Sequence, residues 1–155
     1  MSVHGCELRR EADDRRFVSG EAVTVGNSTV SWSCSTQKIV TFSTTEAEYI
    51  ALGDGVKEGL LVKAVLSFIV PPLSEKSMKV LLDNEGVINL AANPLTSART
   101  KRIDVRFQFI RELVRTGTIA VEHISTKDQR ADILKLVPVG AIFREHRNFL
   151  LNLHE

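Results

Sequence analysis

Cysteine is scarce in this chain, two in 155 residues, and Cys6 and Cys34 stand in neither a CxxC nor a Cys/His metal spacing. That speaks against a disulfide-stapled scaffold or a zinc module and predicts two buried reduced thiols. Long apolar runs are missing as well. None approaches the ~18 residues of a membrane span, and the N-terminus lacks the apolar stretch of about 7–15 residues that marks a secretory signal. No membrane is expected as a partner, and the expected location is intracellular, cytoplasmic or nuclear. Net charge is nearly absent, with 20 basic residues against 19 acidic ones, so partners have to be judged from local patches. Neither an internal repeat nor a low-complexity linker divides the chain. One monomeric domain over residues 1–155 is expected, large enough to bury roughly 70% of the surface its unfolded form exposes.

What is present is patterned. Residues 1–16 are polar, with at most a short first strand from His4 to Leu8. Glu21 to Val25 and Thr29 to Cys34 alternate apolar and polar residues on either side of Gly26-Asn27, which predicts an antiparallel hairpin. Val30, Trp32 and Cys34 share one of its faces and are expected in the core, with Ser31, Ser33 and Ser35 outside. Ser43 and Glu46 form a capping box. The helix they open has an apolar face of Ala47, Ile50, Ala51, Leu61, Val65 and Phe68 and stops at Pro71-Pro72. Gly53, Gly55 and Gly59 within it each cost about 1 kcal/mol relative to Ala, which predicts close packing or a bend.

Lys79 to Asp83 reads as a strand covered on both faces, Glu85 to Ala92 as a short helix, and Ile103, Phe107, Ile110 and Val114 as the buried stripe of another. Thr118 to Ile124 makes a further strand. Thr126 and Gln129 form a second capping box at the start of the helix that carries Asp132. The C-terminal helix, residues 140–155, has Ile142, Phe149, Leu150 and Leu153 as its apolar stripe, with His146 on the same side.

Three of these elements each set one carboxylate on a mostly apolar surface. Glu48 sits beside Ala51, Leu52 and Gly55. Asp83 ends its strand, at the edge where ligands gather in open α/β sheets, and Asp132 lies in the late helix. Together they suggest a divalent-metal site. Each also has an ordinary reading: Glu48 as an acid favoured at a helix start, Asp83 as the cap of the next helix, Asp132 as a surface partner of Arg130 or Lys135. Residues 99 to 115 hold six basic residues against two acidic ones. A solvated face is the usual meaning of such a run; phosphate contact is the functional one. His123 and His146 read as structural and Trp32 as core.

The order hairpin, helix, strand, helices, strand, helix, with these acids on it, resembles ribonuclease H. Narrower still, Asp13-Asp14-Arg15-Arg16 with Ser19-Gly20, Ser31-Trp32, Ser43-Thr44-Thr45-Glu46-Ala47-Glu48-Tyr49, Asp83-Asn84, Arg99-Thr100-Lys101, Ile103-Asp104, Phe109-Ile110-Arg111-Glu112 and Asp128-Gln129 with Ala131-Asp132-Ile133-Leu134 look like the ribonuclease H domain that ends copia-type retrotransposon polyproteins. The resemblance covers about Asp13 to Leu134. It implies an α/β, ribonuclease H-like fold, a mixed sheet with an antiparallel N-terminal meander and flanking helices. It also implies two-metal hydrolysis of the RNA strand of RNA–DNA hybrids by two Mg²⁺ (or Mn²⁺) ions, and a reverse transcriptase domain as a neighbour in a parent polyprotein. Glu48, Asp83 and Asp132 correspond to three of the family's four carboxylates. Asn84, Arg99, Lys101, Arg102 and Arg106 are then expected on the nucleic acid.

Two departures bear on activity. The family's first-strand aspartate is replaced by the segment Gly5-Cys6-Glu7-Leu8-Arg9-Arg10, where Glu7 is the nearest candidate and is one methylene longer. After Asp132 the chain reads Ile133-Leu134-Lys135-Leu136-Val137-Pro138, one threonine short of the family pattern. The expectation is therefore an endoribonuclease of impaired activity, with a non-catalytic nucleic-acid-binding remnant, or a fragment without function, as the alternatives.

Overall fold

Alternating residues near the N-terminus build the antiparallel half of a sheet. The protein is described here by a computed structural model over residues 1–5, 9–10, 17–26, 28–38, 41, 43–92, 101–134 and 140–153, with backbone alone at 9–10, 101–104 and 142. Strand β1 (Ser2–His4) and β2 (Arg9–Arg10) pair with β3 (Phe17–Val25), and β4 (Ser28–Thr36) pairs along nearly all of β3, so that β1 and β2 share its other edge. Gly26, at φ 64°, supplies the left-handed turn between β3 and β4. The parallel half follows from the crossovers: β5 (Met78–Leu82) runs beside β1, and β6 (Ile119–His123) beside β5. The result is the expected mixed sheet with its antiparallel meander.

Helix α1 (Thr44–Ile69) starts where the capping box places it, with Ser43 Oγ accepting the Glu46 amide at 3.1 Å. It crosses one face of the sheet at close range. A Cβ added at Gly59 would lie 2.5 Å from Val3 Cγ2 and 2.7 Å from Met78 Sδ, so glycine is there to let the backbones approach. With α2 (Glu85–Ala92) and α3 (Lys101–Arg115), this helix closes an apolar core in which Tyr49, Leu52 and Val56 meet Val23, Val80 and Ile110. Tyr49 stacks on Phe107 at 4.0 Å between ring centres, and its hydroxyl donates to the Phe107 carbonyl at 3.4 Å. Burial raises that hydroxyl's pKa far above the ordinary tyrosine value.

The far half of α1 corrects the sequence reading. Leu61 and Val65 are exposed and Phe68 is 91% exposed. Gly59 stands over Val3 and Met78, and beyond it Leu60 and Val62 still pack against the core while Leu61, Val65 and Phe68 lie on the exposed side of the helix. Strand β4 is a second correction. Trp32 is 58% exposed, and Val30 and Cys34 are exposed too, while Ser31 and Ser33 turn toward α1. The carboxylates are the reason: Ser31 Oγ donates to Glu58 Oε1 at 2.8 Å and Ser33 Oγ to Glu21 Oε1 at 2.5 Å. Burial lifts Glu21 above the usual carboxylate range, against the Ser33 hydrogen bond that lowers it.

Beyond β6 the expected helix around Asp132 is two 3-10 turns, Thr126–Asp128 and Arg130–Leu134. The Gln129 side chain does not form the expected N-terminal cap, although its backbone amide closes the first turn on the Thr126 carbonyl. Fully buried, it donates Nε2 to the Leu81 carbonyl at 3.3 Å, and Ser125 Oγ takes the capping position. Helix α4 (Ala141–Leu150) packs Leu150 and His146 inward, with His146 Nε2–H donating to the Lys127 carbonyl at 3.0 Å, whereas Leu153 is exposed. Thr29 and Asn152 exchange two hydrogen bonds and tie the end of this helix to β4. Among the described residues no helix is long and apolar enough to cross a membrane.

Candidate active site

Strand β5 ends at Leu82 and delivers Asp83 to the carboxyl edge of the parallel strands. Whether Asp83 is spent on the next helix is settled by its neighbour: Asn84 Oδ1 accepts the amides of Gly86 at 2.8 Å and Val87 at 3.3 Å and so caps α2. Glu48 comes from the second turn of α1, with its Oε2 out of reach of solvent. The two side chains, on elements about thirty-five residues apart in sequence, line one open cleft of about 330 Å³ with Asn84, Glu85, Gly86 and Thr126.

Two members of this cleft escape the reading of the sequence. Glu85 adds a third acid at the first turn of α2, and Thr126 follows β6. The signal for both is the crossover pattern, since β6 is parallel to β5 and the residues after each strand must share one edge.

Asp132 is buried in the turn Arg130–Leu134, its amide donating to the Gln129 carbonyl at 3.2 Å, and it is not among the residues that line the cleft. Glu7 lies outside the described residues, as does Arg99. Among the described residues no three of His, Cys, Asp and Glu stand close enough to hold one metal ion. Glu48 and Asp83 nonetheless offer the hard oxygens that Mg²⁺ takes, and this ion commonly uses only one or two protein carboxylates, with water and substrate phosphate completing its shell.

The basic helix is partly committed to the fold. Arg106 Nη1 donates to both carboxylate oxygens of Asp54 at 3.2 Å and to the Ile50 carbonyl at 3.3 Å, which fastens α3 to α1. Arg111 donates to the Leu90 carbonyl, and Arg115 pairs with Glu112 at 2.6 Å. Lys101 and Arg102 sit in the first turn of α3, where the backbone alone is described. Among the described side chains expected on nucleic acid, Asn84 is the one that lines the cleft.

The opposite face of the sheet carries its own polar group. His4 is buried, and its pKa falls to about 4, chiefly through loss of hydration and further through the nearby charges of Arg130 and His146.

No protein-family model matches the chain. It is 38% identical over 133 residues to the retrovirus-related Pol polyprotein from transposon TNT 1-94 of Nicotiana tabacum, an alignment that covers 85% of this chain and 10% of that protein. The Pol polyproteins from transposons RE2 and RE1 of Arabidopsis thaliana are each 36% identical, over 137 and 142 residues, covering 86% of this chain and 9% of theirs. The chain thus spans about a tenth of the length of the curated relatives it matches. Among solved structures, RNase H1 from the halophilic archaeon Halobacterium salinarum NRC-1 superposes with a TM-score of 0.55 at 19% identity, covering 86% of this chain and 90% of that one, which establishes the fold.

Proposed function

We propose a function from the premise that this chain belongs, as one segment, with the Pol polyproteins of copia-type transposons and has a ribonuclease H-like fold. The function is hydrolysis of the RNA strand of RNA–DNA hybrids with Mg²⁺ or Mn²⁺. The observation that carries it is the meeting of Glu48 and Asp83 in one open, polar cleft at the carboxyl edge of β5. These two carboxylates are the proposed ligands of the cation, with Asp132 and Glu7 as the further acids of the set. When bound, two such ions supply charge stabilisation to the attacking and leaving oxygens of a phosphodiester. The protein's own part is positioning. Asn84 holds α2 in place through Oδ1, which leaves Asp83 to the cleft and leaves the Asn84 amide nitrogen to face substrate. Arg99, Lys101 and Arg102 are proposed to hold hybrid phosphates, contacts that set affinity and its salt dependence rather than sequence preference. Arg106 is left with its ion pair to Asp54.

A second reading, binding without cleavage, is favoured by the absence among the described residues of any three metal-binding side chains in reach of one ion. A labelled hybrid decides between them. Cleavage by the parent chain in Mg²⁺, lost in Asp83→Asn and in Glu48→Gln while both variants still melt cooperatively, is the expected result. Hybrid binding that Asp83→Asn leaves intact, with no cutting by the parent in either metal, establishes the second reading instead. The same variants report on the metal directly. A ligand held 100-fold above its Kd adds about 2.7 kcal/mol to the folded state, so Mg²⁺ should raise the parent's melting temperature and leave that of Asp83→Asn unchanged.

A further inference from the structure

We propose that the α4 side of the sheet holds a second ligand site, distinct from the Glu48–Asp83 cleft, which takes a phosphate monoester with a hydroxyl-bearing organic part. The site is an open cleft of about 320 Å³ whose walls include Ser2, His4 and Thr24 from the strands, Asp128 and Arg130 from the 3-10 turns, and Phe149 from α4. Among the described residues the two clefts share no lining residue.

Two side chains there have hydrogen-bonding capacity that the described residues do not use. His4 is 5% exposed, sits edge-on to Phe149, and has no partner among the described residues for the buried Nδ1. Nδ1 itself is closed off from solvent, so the ring serves the cleft as part of its wall against Phe149, and the donors that face a ligand are those of Arg130. Arg130 holds its guanidinium over Phe149, its central carbon 3.6 Å from the ring centre. The contact with the ring uses none of the guanidinium's N–H donors, whose fixed fork matches two oxygens of a phosphate. The turn that presents Arg130 is held from behind by His146, through the Lys127 carbonyl, and by Gln129, through the Leu81 carbonyl. The donors are therefore placed before a ligand arrives, which lowers the ordering cost of binding.

Asp128 selects among phosphates. Its exposed carboxylate also lines the cleft, where it repels a bare anion but accepts from a sugar hydroxyl or a base amine attached to the phosphate. A volume near 320 Å³ is the lower range of small-molecule sites and exceeds what a lone ion fills. The shared chemistry is a phosphate monoester, either a free nucleotide or the phosphorylated end of a nucleic acid strand.

The test is a titration of the intact chain, at constant ionic strength, with adenosine monophosphate, inorganic phosphate and adenosine, followed by calorimetry and by the His4 ring signals. Adenosine monophosphate should saturate, inorganic phosphate should bind more weakly, and adenosine not at all. Arg130→Met should weaken the monophosphate at least ten-fold, and Arg130→Lys, which keeps the charge and loses the fork, should weaken it less. Oligonucleotides with a 5′-phosphate or a 5′-hydroxyl then identify the source, since only a strand-end site distinguishes them. The proposal fails if the monophosphate produces no more than chloride does, if Arg130→Met binds it as the parent does, or if Asp83→Asn removes the binding that Arg130→Met retains.

Discussion

On the side of α1, α2 and α3, the strands present Val3, Val23, Val80 and Leu82 to a shell of apolar side chains, while on the side of the 3-10 turns and α4 the same strands present Ser2, His4, Thr24 and Leu81 to Arg130 and Phe149. Neighbouring residues of β1 therefore serve opposite purposes. Val3 is held by burial, at about 25 cal/mol for each Å² removed from water. His4 is removed from water at a cost, because a buried polar atom without a partner loses about 1–3 kcal/mol. The first face specifies the fold and tolerates little change of volume. The second depends on which protons and ligands are present, and it is where chemistry other than packing has room.

The largest expected effect breaks the first face. Tyr49 is fully buried and joins α1 to α3 through its stacking on Phe107. Tyr49→Ala should destabilise the chain by about 3–5 kcal/mol, the range for truncating a buried aromatic residue. Urea unfolding followed by circular dichroism measures it. A loss below about 1 kcal/mol, well under that range, would mean that α3 is not packed as described.

Much of that face is legible in the sequence. The capping box at Ser43, the continuous Val80-Leu81-Leu82 run and the stripe through Phe107 and Ile110 each follow from local pattern, and each stands where the pattern places it. The meeting of Glu48 with Asp83 is legible for a different reason, the rule that ligands gather at the carboxyl edge of parallel strands. Failures cluster where pattern cannot report what lies opposite. Phe68 continues the apolar stripe of α1, but no described residue covers it; Trp32 alternates correctly, but toward a face that leaves it exposed. Gln129 has the spacing from Thr126 that a capping residue needs, and only the fold puts the Leu81 carbonyl within its reach. The cleft around His4 has no sequence signal, since one histidine in a three-residue strand has no period.

The next effect sharpens the contrast through pH. His4 has its folded pKa lowered from 6.5 to about 4, so between these values the unfolded chain binds more protons than the folded one. Stability from this group is present above pH 6.5 and is lost as pH falls toward 4. Between about pH 7 and pH 5 the loss should be about 2 kcal/mol, because a proton held by the unfolded chain alone costs the fold about 1.36 kcal/mol for every tenfold rise in proton concentration. Glu21 acts in the opposite sense, because a raised carboxylate gives stability that fades as pH rises. Comparison with His4→Gln cancels Glu21 and the other groups common to both chains. The parent should lose about 2 kcal/mol more than the variant over this range in urea titrations, and equal losses would show that His4 titrates as it does in the unfolded chain.

The smallest effect concerns Arg106, which decides how far α3 belongs to the packed face and how far to a binding surface. Its guanidinium meets Asp54 at 3.2 Å, with side-chain exposures of 25% and 42%. A pair that open to water is screened, and coupling in such pairs is about 0.2–1 kcal/mol. The extra bond from Nη1 to the Ile50 carbonyl is lost with Arg106 but not with Asp54. In a double-mutant cycle, Arg106→Ala should therefore cost more than Asp54→Ala, and the coupling between them should be about 0.5 kcal/mol and should shrink as salt rises. If the ion pair is the whole of its role, Asp54→Ala should leave hybrid affinity unchanged and Arg106→Ala should lower it no more than the loss of stability explains. A variant Asp54→Ala that binds hybrid several-fold more tightly, with a steeper dependence on salt, would show that the released guanidinium reaches a phosphate and that this arginine is shared between the two tasks.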